Sequence, residues 1–238
     1  MKNSKRGDFV AKNFESQHVV NSYDQHIRQL IPGYDLAHHH LKALLKSHIK
    51  NKYAQVLIIG CGTGYELSYL LQLFPKWTFV VTELSETMLS QAKQNVQPLN
   101  EDERVEFVVG DFASSSFADQ YSEINFDAVL TILVSHFIEY ETKPNFFRNI
   151  YKALKQNGIF LTFDLMKFET ENESEILKDI CMQNGLSEKQ ASTMLSRLND
   201  DFYPLSENET LGLLDKIGFH KTQRFIQVAS YKGFIVFK

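Results

Sequence analysis

Short apolar runs alternate with amphipathic stretches along most of this chain. Between the runs, the segments 64–74, 85–96 and 143–155 carry apolar residues at helical spacing, and Asn157-Gly158 is predicted to cap the third helix. This alternation predicts a doubly wound α/β domain, whose mostly parallel sheet is covered on both faces. The predicted buried strands are 55–59, 78–82, 105–109, 127–131 and 158–164.

Two β-rich runs, 219–229 and 231–237, stand almost next to each other after a predicted helix at 207–217. They are predicted to form an antiparallel terminal hairpin, because so little chain separates them. The hairpin would complete a seven-stranded sheet and place a reversed strand at its edge.

Two helical segments lie outside this alternation. Residues 1–50 contain predicted helices at 21–30 and 34–49, and residues 169–199 form an insertion that divides at Asn184-Gly185. Both are expected near the carboxyl ends of the strands, where open α/β sheets bind ligands. We expect them to act as helical lids over an α/β domain made of residues 51–168 and 200–238.

Composition favours an ordinary enzyme. The chain has 238 residues, 43% of them hydrophobic, and no apolar run long enough to cross a bilayer or to serve as a signal peptide, so we expect a cytoplasmic protein. A net charge of −4 argues against a surface that grips nucleic acid. The tract His38-His39-His40 is not expected to bind metal, since consecutive helical positions diverge by about 100°. The oligomeric state stays open, a homodimer included.

The first candidate binding element in the sequence is a glycine-rich loop. Four apolar residues lead directly into Gly60-Cys61-Gly62-Thr63-Gly64. Glycine tolerates positive φ and lets a ligand approach the backbone, and the next helix opens with free amide donors. Glu83 ends the following strand, where a carboxylate can accept both hydrogen bonds of a ribose diol. This arrangement predicts a site for an adenosine-type cofactor.

The loop, Glu83, the sequence Gly110-Asp111-Phe112 and the terminal hairpin together resemble the class I S-adenosylmethionine-dependent methyltransferases, which have a Rossmann-like fold. The resemblance implies that S-adenosylmethionine binds here and leaves as S-adenosylhomocysteine. Gly60, Gly62 and Gly64 would border its methionine part, Glu83 would hold the ribose beside Leu84, and Asp111 would accept from the adenine amino group. Phe112 would supply a backbone amide and an apolar wall. The same site is expected to include Cys61, Met88 and Leu133.

Within this superfamily, the chain is most similar to the carboxy-S-adenosylmethionine synthases and their methyltransferase relatives. That likeness lies in Tyr23-Asp24-x-x-Ile27-Arg28-x-x-Ile31-Pro32-Gly33-Tyr34 and in Leu214-x-x-Ile217-Gly218-Phe219. It implies that Tyr34 reaches the cofactor. Tyr23 and Arg28 are candidates to close over the cofactor's carboxylate, since arginine matches a carboxylate with two donors. The alternative is an Arg28 that points to water.

Two departures change the expected reaction. Ile58 stands where the superfamily usually has an acidic residue, which removes one support for the cofactor's ammonium group. Leu195 stands where the carboxy-cofactor enzymes have an arginine, and Arg197 lies two residues along the helix, on the wrong face. Ordinary methyl transfer is therefore favoured over carboxy-cofactor synthesis.

His136 follows the fourth predicted strand, where the family's acceptor approaches, and is the candidate general base. It could equally cap or pack the next helix. The segment lacks the Asn/Asp-Pro-Pro-aromatic sequence of nucleic-acid amine methyltransferases, which disfavours nucleic acid as the direct substrate.

We therefore expect methyl transfer to a small-molecule oxygen, nitrogen or carbon. Three alternatives stay open: a carboxy-S-adenosylmethionine synthase linked to tRNA wobble-uridine modification, a nicotinamide-dependent dehydrogenase, and a non-catalytic cofactor-binding scaffold. The dehydrogenase is disfavoured because Tyr65 stands where its third glycine belongs.

Overall fold

A seven-stranded sheet forms the centre of the structure, a computed structural model that describes residues 14–100 and 103–238. The strand order is β3-β2-β1-β4-β5-β7-β6, with the first five strands parallel. This confirms the predicted doubly wound, mostly parallel sheet. The strands are β1 (Gln55–Ile59), β2 (Thr78–Glu83), β3 (Val105–Val109), β4 (Phe126–Ile132), β5 (Leu154–Leu165), β6 (Lys221–Val228) and β7 (Tyr231–Phe237).

Helices cover both faces of the sheet. Neighbouring residues of β1 point to opposite sides, so Ile58 joins a core that includes α2, α3 and α4, while Leu57 joins a core that includes α6 and α9. Both strand residues are almost fully buried. The helices are α1 (Gln17–Leu30), α2 (Tyr34–His48), α3 (Tyr65–Leu73), α4 (Glu86–Val96), α5 (Ser115–Ala118), α6 (Lys143–Ala153), α7 (Glu173–Gln183), α8 (Glu188–Asp200) and α9 (Glu207–Ile217).

The N-terminal helices have two different positions. Leu41 and Leu45 of α2 are fully buried in the same core as β1, so this helix is a covering layer of the sheet. The helix α1 lies beside the glycine loop, where the Thr63 hydroxyl donates to the Asp24 carboxylate over 2.6 Å. Residues 1–13 of the predicted lid lie outside the described residues, and the division of the chain into lids and domain stays a prediction.

The prediction that Asn157-Gly158 caps a helix was wrong. The helix α6 ends at Ala153, and Leu154 already belongs to β5, where it pairs with Phe126. The strand is then interrupted before Ile159 pairs with Ala128, and Asn157 adopts a φ of +63° within this irregularity. The Asn157 amide donates to the Lys238 carbonyl. These turn-forming residues therefore make a bulge in the sheet.

The sequence predicted a reversed strand at the edge of the sheet, and this prediction was wrong. The strand β7 is antiparallel to both of its neighbours, and it lies between β5 and β6. Burial explains this order, because β7 is buried along nearly its whole length whereas β6 has many exposed residues. The more apolar strand of the hairpin therefore takes the interior position. Within the described residues, we find no helix long and apolar enough to cross a membrane.

Candidate active site

A cavity of about 840 Å³ lies at the carboxyl ends of β1, β2, β3 and β4. Gly60, Glu83, Gly110 and Leu133 each end or follow one of these strands, and all four line the cavity. The strand order reverses between β1 and β4, which is where open α/β sheets bind their ligands. The volume is within the range of small-molecule and cofactor sites.

The glycine loop brings bare backbone to the cavity wall. Gly62 has a φ of +53°, and its amide donates to the Glu83 carboxylate over 2.9 Å. Gly64 precedes α3 with a φ of +82°, and a Cβ there would lie only 3.1 Å from the Ala92 Cβ. Glycine at these two positions permits the left-handed turn and the close packing of α3 on α4.

Glu83 is held rigidly at the end of β2. One carboxylate oxygen accepts from Gly62, and the other accepts from the amides of Leu84 and Ser85 over 2.8 Å and 3.2 Å. A carboxylate has about four acceptor sites, so about one remains on Glu83 for a ribose hydroxyl. The Leu84 side chain is exposed above it, while Met88 is buried in the adjoining wall.

The cavity wall after β3 consists of the Asp111 carboxylate, a hydrogen-bond acceptor, and the aromatic residue Phe112. The Ala113 amide donates to one oxygen of Asp111 over 2.8 Å. The Phe112 ring is buried against Phe117 and Tyr121. A carboxylate beside an apolar wall fits a neutral heteroaromatic base that carries an amino group.

A second, smaller pocket adjoins the cavity at the glycine loop, and we call it the polar recess. It contains six predicted residues, of which Tyr34 and Cys61 do not line the cavity, and also Glu66, which sequence reasoning missed. Burial raises the pKa of Glu66 to about 7. The polar recess is lined by Tyr23, Tyr34, Gly60, Cys61, Gly62, Thr63, Tyr65, Glu66, Ile132 and Leu133.

Glu66 could have been found from its position in α3. It lies one turn before Leu70, and both residues are buried. An acidic residue on the buried side of an amphipathic helix is uncommon unless it has a partner or a ligand.

Arg28 lines neither the cavity nor the polar recess. Its Nε donates to both oxygens of Asp35 over 3.0 Å and 3.2 Å, and its guanidinium lies 4.8 Å from the centre of the Tyr65 ring. Its Nη1 donates to the Asp24 carbonyl, so two of its nitrogens already have acceptors within the protein.

His136 is also outside both pockets. The ring is buried, and its Nδ1 is hydrogen-bonded to Asp164. Asp164 also accepts from the amides of Ser135 over 2.6 Å and Leu165 over 3.0 Å. Burial alone would raise the pKa of Asp164, but the His136 ring and the Ser135 amide hold it below its ordinary value. Lys143 donates to the Ser135 carbonyl, and burial lowers its pKa to about 8.

The structure thus gathers most of the predicted site residues around one cavity. Three predicted residues, Gly64, Arg28 and His136, line neither pocket. Those lining the cavity are Tyr23, Gly60, Gly62, Glu83, Leu84, Met88, Asp111, Phe112 and Leu133.

The cavity wall is acidic and apolar. Among the described residues that line it, none is lysine, arginine or histidine. Aromatic rings stand at its mouth, where the Phe14 ring makes edge contacts with Tyr23 and Phe137 at centre distances of 6.1 Å. The lining carboxylates are Glu15, Glu83, Asp111 and Glu139.

The chain is similar in sequence to known methyltransferases. The family described as "Methyltransferase domain" matches residues 57–160. The carboxy-S-adenosyl-L-methionine synthase of Campylobacter concisus is 27% identical over 234 residues, which cover 96% of both chains.

Solved structures agree on the fold. An O-methyltransferase family protein from Burkholderia thailandensis superposes with a TM-score of 0.68 at 14% identity, over 94% of this chain and 61% of that one. The structure titled "PigF with SAH" superposes with a TM-score of 0.62 at 15% identity, over 94% of this chain and 61% of that one. The chain spans about three fifths of the length of these two proteins.

The structure thus combines a doubly wound sheet with a ligand-sized cavity at its switch point. The match over residues 57–160 and the full-length similarity to the Campylobacter enzyme support a class I S-adenosylmethionine-dependent methyltransferase. S-adenosylmethionine is its cofactor.

Proposed function

We propose that this enzyme transfers the methyl group of S-adenosylmethionine to a neutral or cationic small-molecule acceptor. The acidic and apolar cavity wall carries this proposal. Glu139 and Phe137 follow β4, beside Leu133, and no described lining residue offers a cation to an anionic acceptor. Carboxylates and aromatic rings favour neutral or positively charged groups.

Each wall of the cavity has a separate task. The glycine loop and the polar recess take the amino-acid end of the cofactor, Glu83 takes the ribose, and Asp111 takes the adenine amine. The cofactor supplies a methyl group on a sulfonium, which is an excellent leaving group. The chain's contribution is then mainly to position the acceptor in line and to exclude water.

A general base is not part of this proposal. The His136 ring lines neither pocket, and its Nδ1 is held by Asp164. An amine that reaches the site unprotonated needs no early proton removal. The role of His136 that the contacts favour is support of the loop after β4.

The alternative is synthesis of carboxy-S-adenosylmethionine, and the Campylobacter relative favours it. Such a product carries an additional carboxylate that needs a cation. On α8, Arg197 pairs with Asp201 over 3.3 Å and lines neither pocket. Leu195 packs against the core. These contacts favour plain methyl transfer over carboxyl chemistry.

Calorimetry with S-adenosylmethionine and S-adenosylhomocysteine tests the cofactor site. Glu83→Ala should weaken both ligands by about 1 to 3 kcal/mol, because it removes the ribose acceptor. Glu86→Ala is the matched control, since this exposed carboxylate is three residues away and outside the cavity lining. If neither ligand binds the wild type, the proposed function is wrong.

Mass spectrometry of ligand extracted after incubation with S-adenosylmethionine separates the two reactions. Methyl transfer leaves S-adenosylhomocysteine once an amine or hydroxyl acceptor is supplied. A synthase would instead yield a sulfonium that is heavier by one CO₂ when a carboxylate donor is present, and detection of that species would replace the proposal with the alternative.

A further inference from the structure

The chain lacks an acid at the usual place for holding the cofactor's ammonium group. Ile58 stands at that position, is 2% exposed and pairs with Val81 and Leu130 in the interior of the sheet. It can offer no acceptor. An ammonium group that leaves water for a partly enclosed site requires a negative or hydrogen-bonding partner.

Neighbouring carboxylates already have donors. Glu83 accepts from three backbone amides. Asp24 accepts from the Thr63 hydroxyl over 2.6 Å and does not line the polar recess. Asp35 is paired with Arg28. None of these three groups is placed to serve the amino-acid end of the cofactor.

Glu66 has both the location and the free capacity. It lies in the first turn of α3, directly after the glycine loop, and lines the polar recess. Its side chain is 9% exposed. The nearest basic nitrogen is His38 Nε2, which is 3.6 Å from a Glu66 oxygen, too far for a good hydrogen bond.

His38 does not neutralise this carboxyl. Burial lowers the pKa of His38 to about 3, so the ring is neutral, and its Nδ1 is hydrogen-bonded to the Tyr69 hydroxyl over 3.1 Å. A carboxyl buried without a cationic partner has a raised pKa, as Glu66 does. A ligand ammonium would supply the missing charge.

We propose that the Glu66 carboxylate replaces the acid missing at position 58 and binds the α-ammonium group of S-adenosylmethionine. This assignment rests on the proposed cofactor use of the site. It makes Glu66 the residue that distinguishes ligands with an amino-acid end from ligands without one.

Glu66→Gln tests the proposal, because it keeps the side-chain shape and removes the charge. Two ligands are compared by calorimetry: S-adenosylhomocysteine, and 5′-methylthioadenosine, which has the adenosine and thioether but no amino acid. Affinity for the first should fall about 10-fold to 100-fold, and affinity for the second should change less than about twofold. Glu86→Gln is the matched exposed control, and Glu83→Ala should weaken both ligands.

A pH series adds a readout that a purely structural role would not move. Wild-type affinity for S-adenosylhomocysteine should fall by up to about tenfold per pH unit below 7, because the protonated Glu66 must first ionise. The Gln variant should lose that dependence. The other titratable or charged groups near Glu66 are Tyr23 and Asp24 of α1, Tyr34, Asp35 and His38 of α2, Cys61 of the glycine loop, Tyr65 and Tyr69 of α3, and Glu83 at the end of β2.

Three results would overturn the assignment of Glu66. These are unchanged affinity for S-adenosylhomocysteine in the Gln variant, an equal loss for both ligands, and a pH dependence that persists in that variant. Wild-type protein that binds 5′-methylthioadenosine but not S-adenosylhomocysteine would also overturn it. Failure of both ligands to bind the wild type would instead overturn the proposed function, and this assignment with it.

Discussion

Two buried carboxyl groups at the same end of the sheet have opposite environments. Asp164, at the end of β5, is fully buried and accepts from the His136 ring and from backbone amides of the loop after β4. Glu66, at the start of α3, is also buried, and the basic side chain beside it is the neutral His38, 3.6 Å away. The pKa of Asp164 is lowered, and that of Glu66 is raised to about 7.

The difference separates a structural acid from one kept for a ligand. Donors around Asp164 favour its charged form and make it part of the scaffold. Glu66 has a backbone hydrogen bond that favours its charged form, but burial outweighs it, so the charge destabilises the ligand-free protein until a cation pairs with it. A buried acid that lacks a partner is therefore the better pointer to a binding site.

The largest expected effect is the loss of Asp164. Asp164→Ala leaves the Ser135 amide and the His136 ring without their acceptor, and it removes the negative charge near the buried Lys143. The free energy of unfolding in urea should fall by about 3 to 5 kcal/mol. Asp119→Ala, which breaks an exposed pair with Lys152, should cost less than about 1 kcal/mol. If Asp164→Ala and Asp119→Ala lost the same free energy of unfolding, Asp164 would not be the structural acid that we contrast with Glu66.

Glu66→Gln should change stability in the opposite direction. The folded-state pKa of about 7 lies above the ordinary value of 4.5, so wild-type stability is lost as pH rises between these values. At pH 8 the ligand-free variant should be more stable than wild type by up to roughly 3 kcal/mol, and near pH 4 the two should agree. Urea titrations at both pH values measure this. A variant less stable than wild type at pH 8 would contradict the conclusion that the ionised Glu66 carboxylate destabilises the ligand-free protein.

His136→Gln should have a moderate effect. The variant removes one donor to Asp164 and some aromatic packing against Phe202, so we expect a loss of about 1 to 2 kcal/mol. Once an acceptor is known, the shape of the kcat/KM profile against pH should be unchanged. Loss of one limb of that profile, with stability preserved, would restore the general-base hypothesis.

Arg28→Gln should have the smallest effect. Arg28 pairs with Asp35 at the surface, where both side chains are at least one third exposed, so stability should change by less than about 0.5 kcal/mol. Cofactor affinity should also change little, since Arg28 lines neither pocket. A tenfold loss of S-adenosylhomocysteine affinity would show that Arg28 turns from Asp35 to the ligand.

Local sequence signals were sufficient for the main features of the fold and for the cavity. Apolar runs identified the strands, and the spacing from the glycine loop to Glu83 and Asp111 follows from the fixed geometry of a strand-loop-helix unit. These three elements line one cavity, as expected.

Features that depend on distant parts of the chain were not predictable in the same way. Asn157-Gly158 was a correct turn signal, but only its contact with the end of the chain makes it a bulge instead of a helix cap. The orientation of His136 depends on Asp164, 28 residues away. Glu66 was overlooked because the missing acid was sought in the strand before the loop, and the candidate lies in the helix after it.

The hydrogen bond between Asp24 and Thr63 has a kinetic consequence. It holds α1 against the glycine loop, and Tyr23 of the same helix lines both the cavity and the polar recess. A ligand seated in the recess would lie against Tyr23 of this helix. We expect the residence time of the product to follow the rate at which α1 lifts away, so that turnover can be slow even where binding is weak.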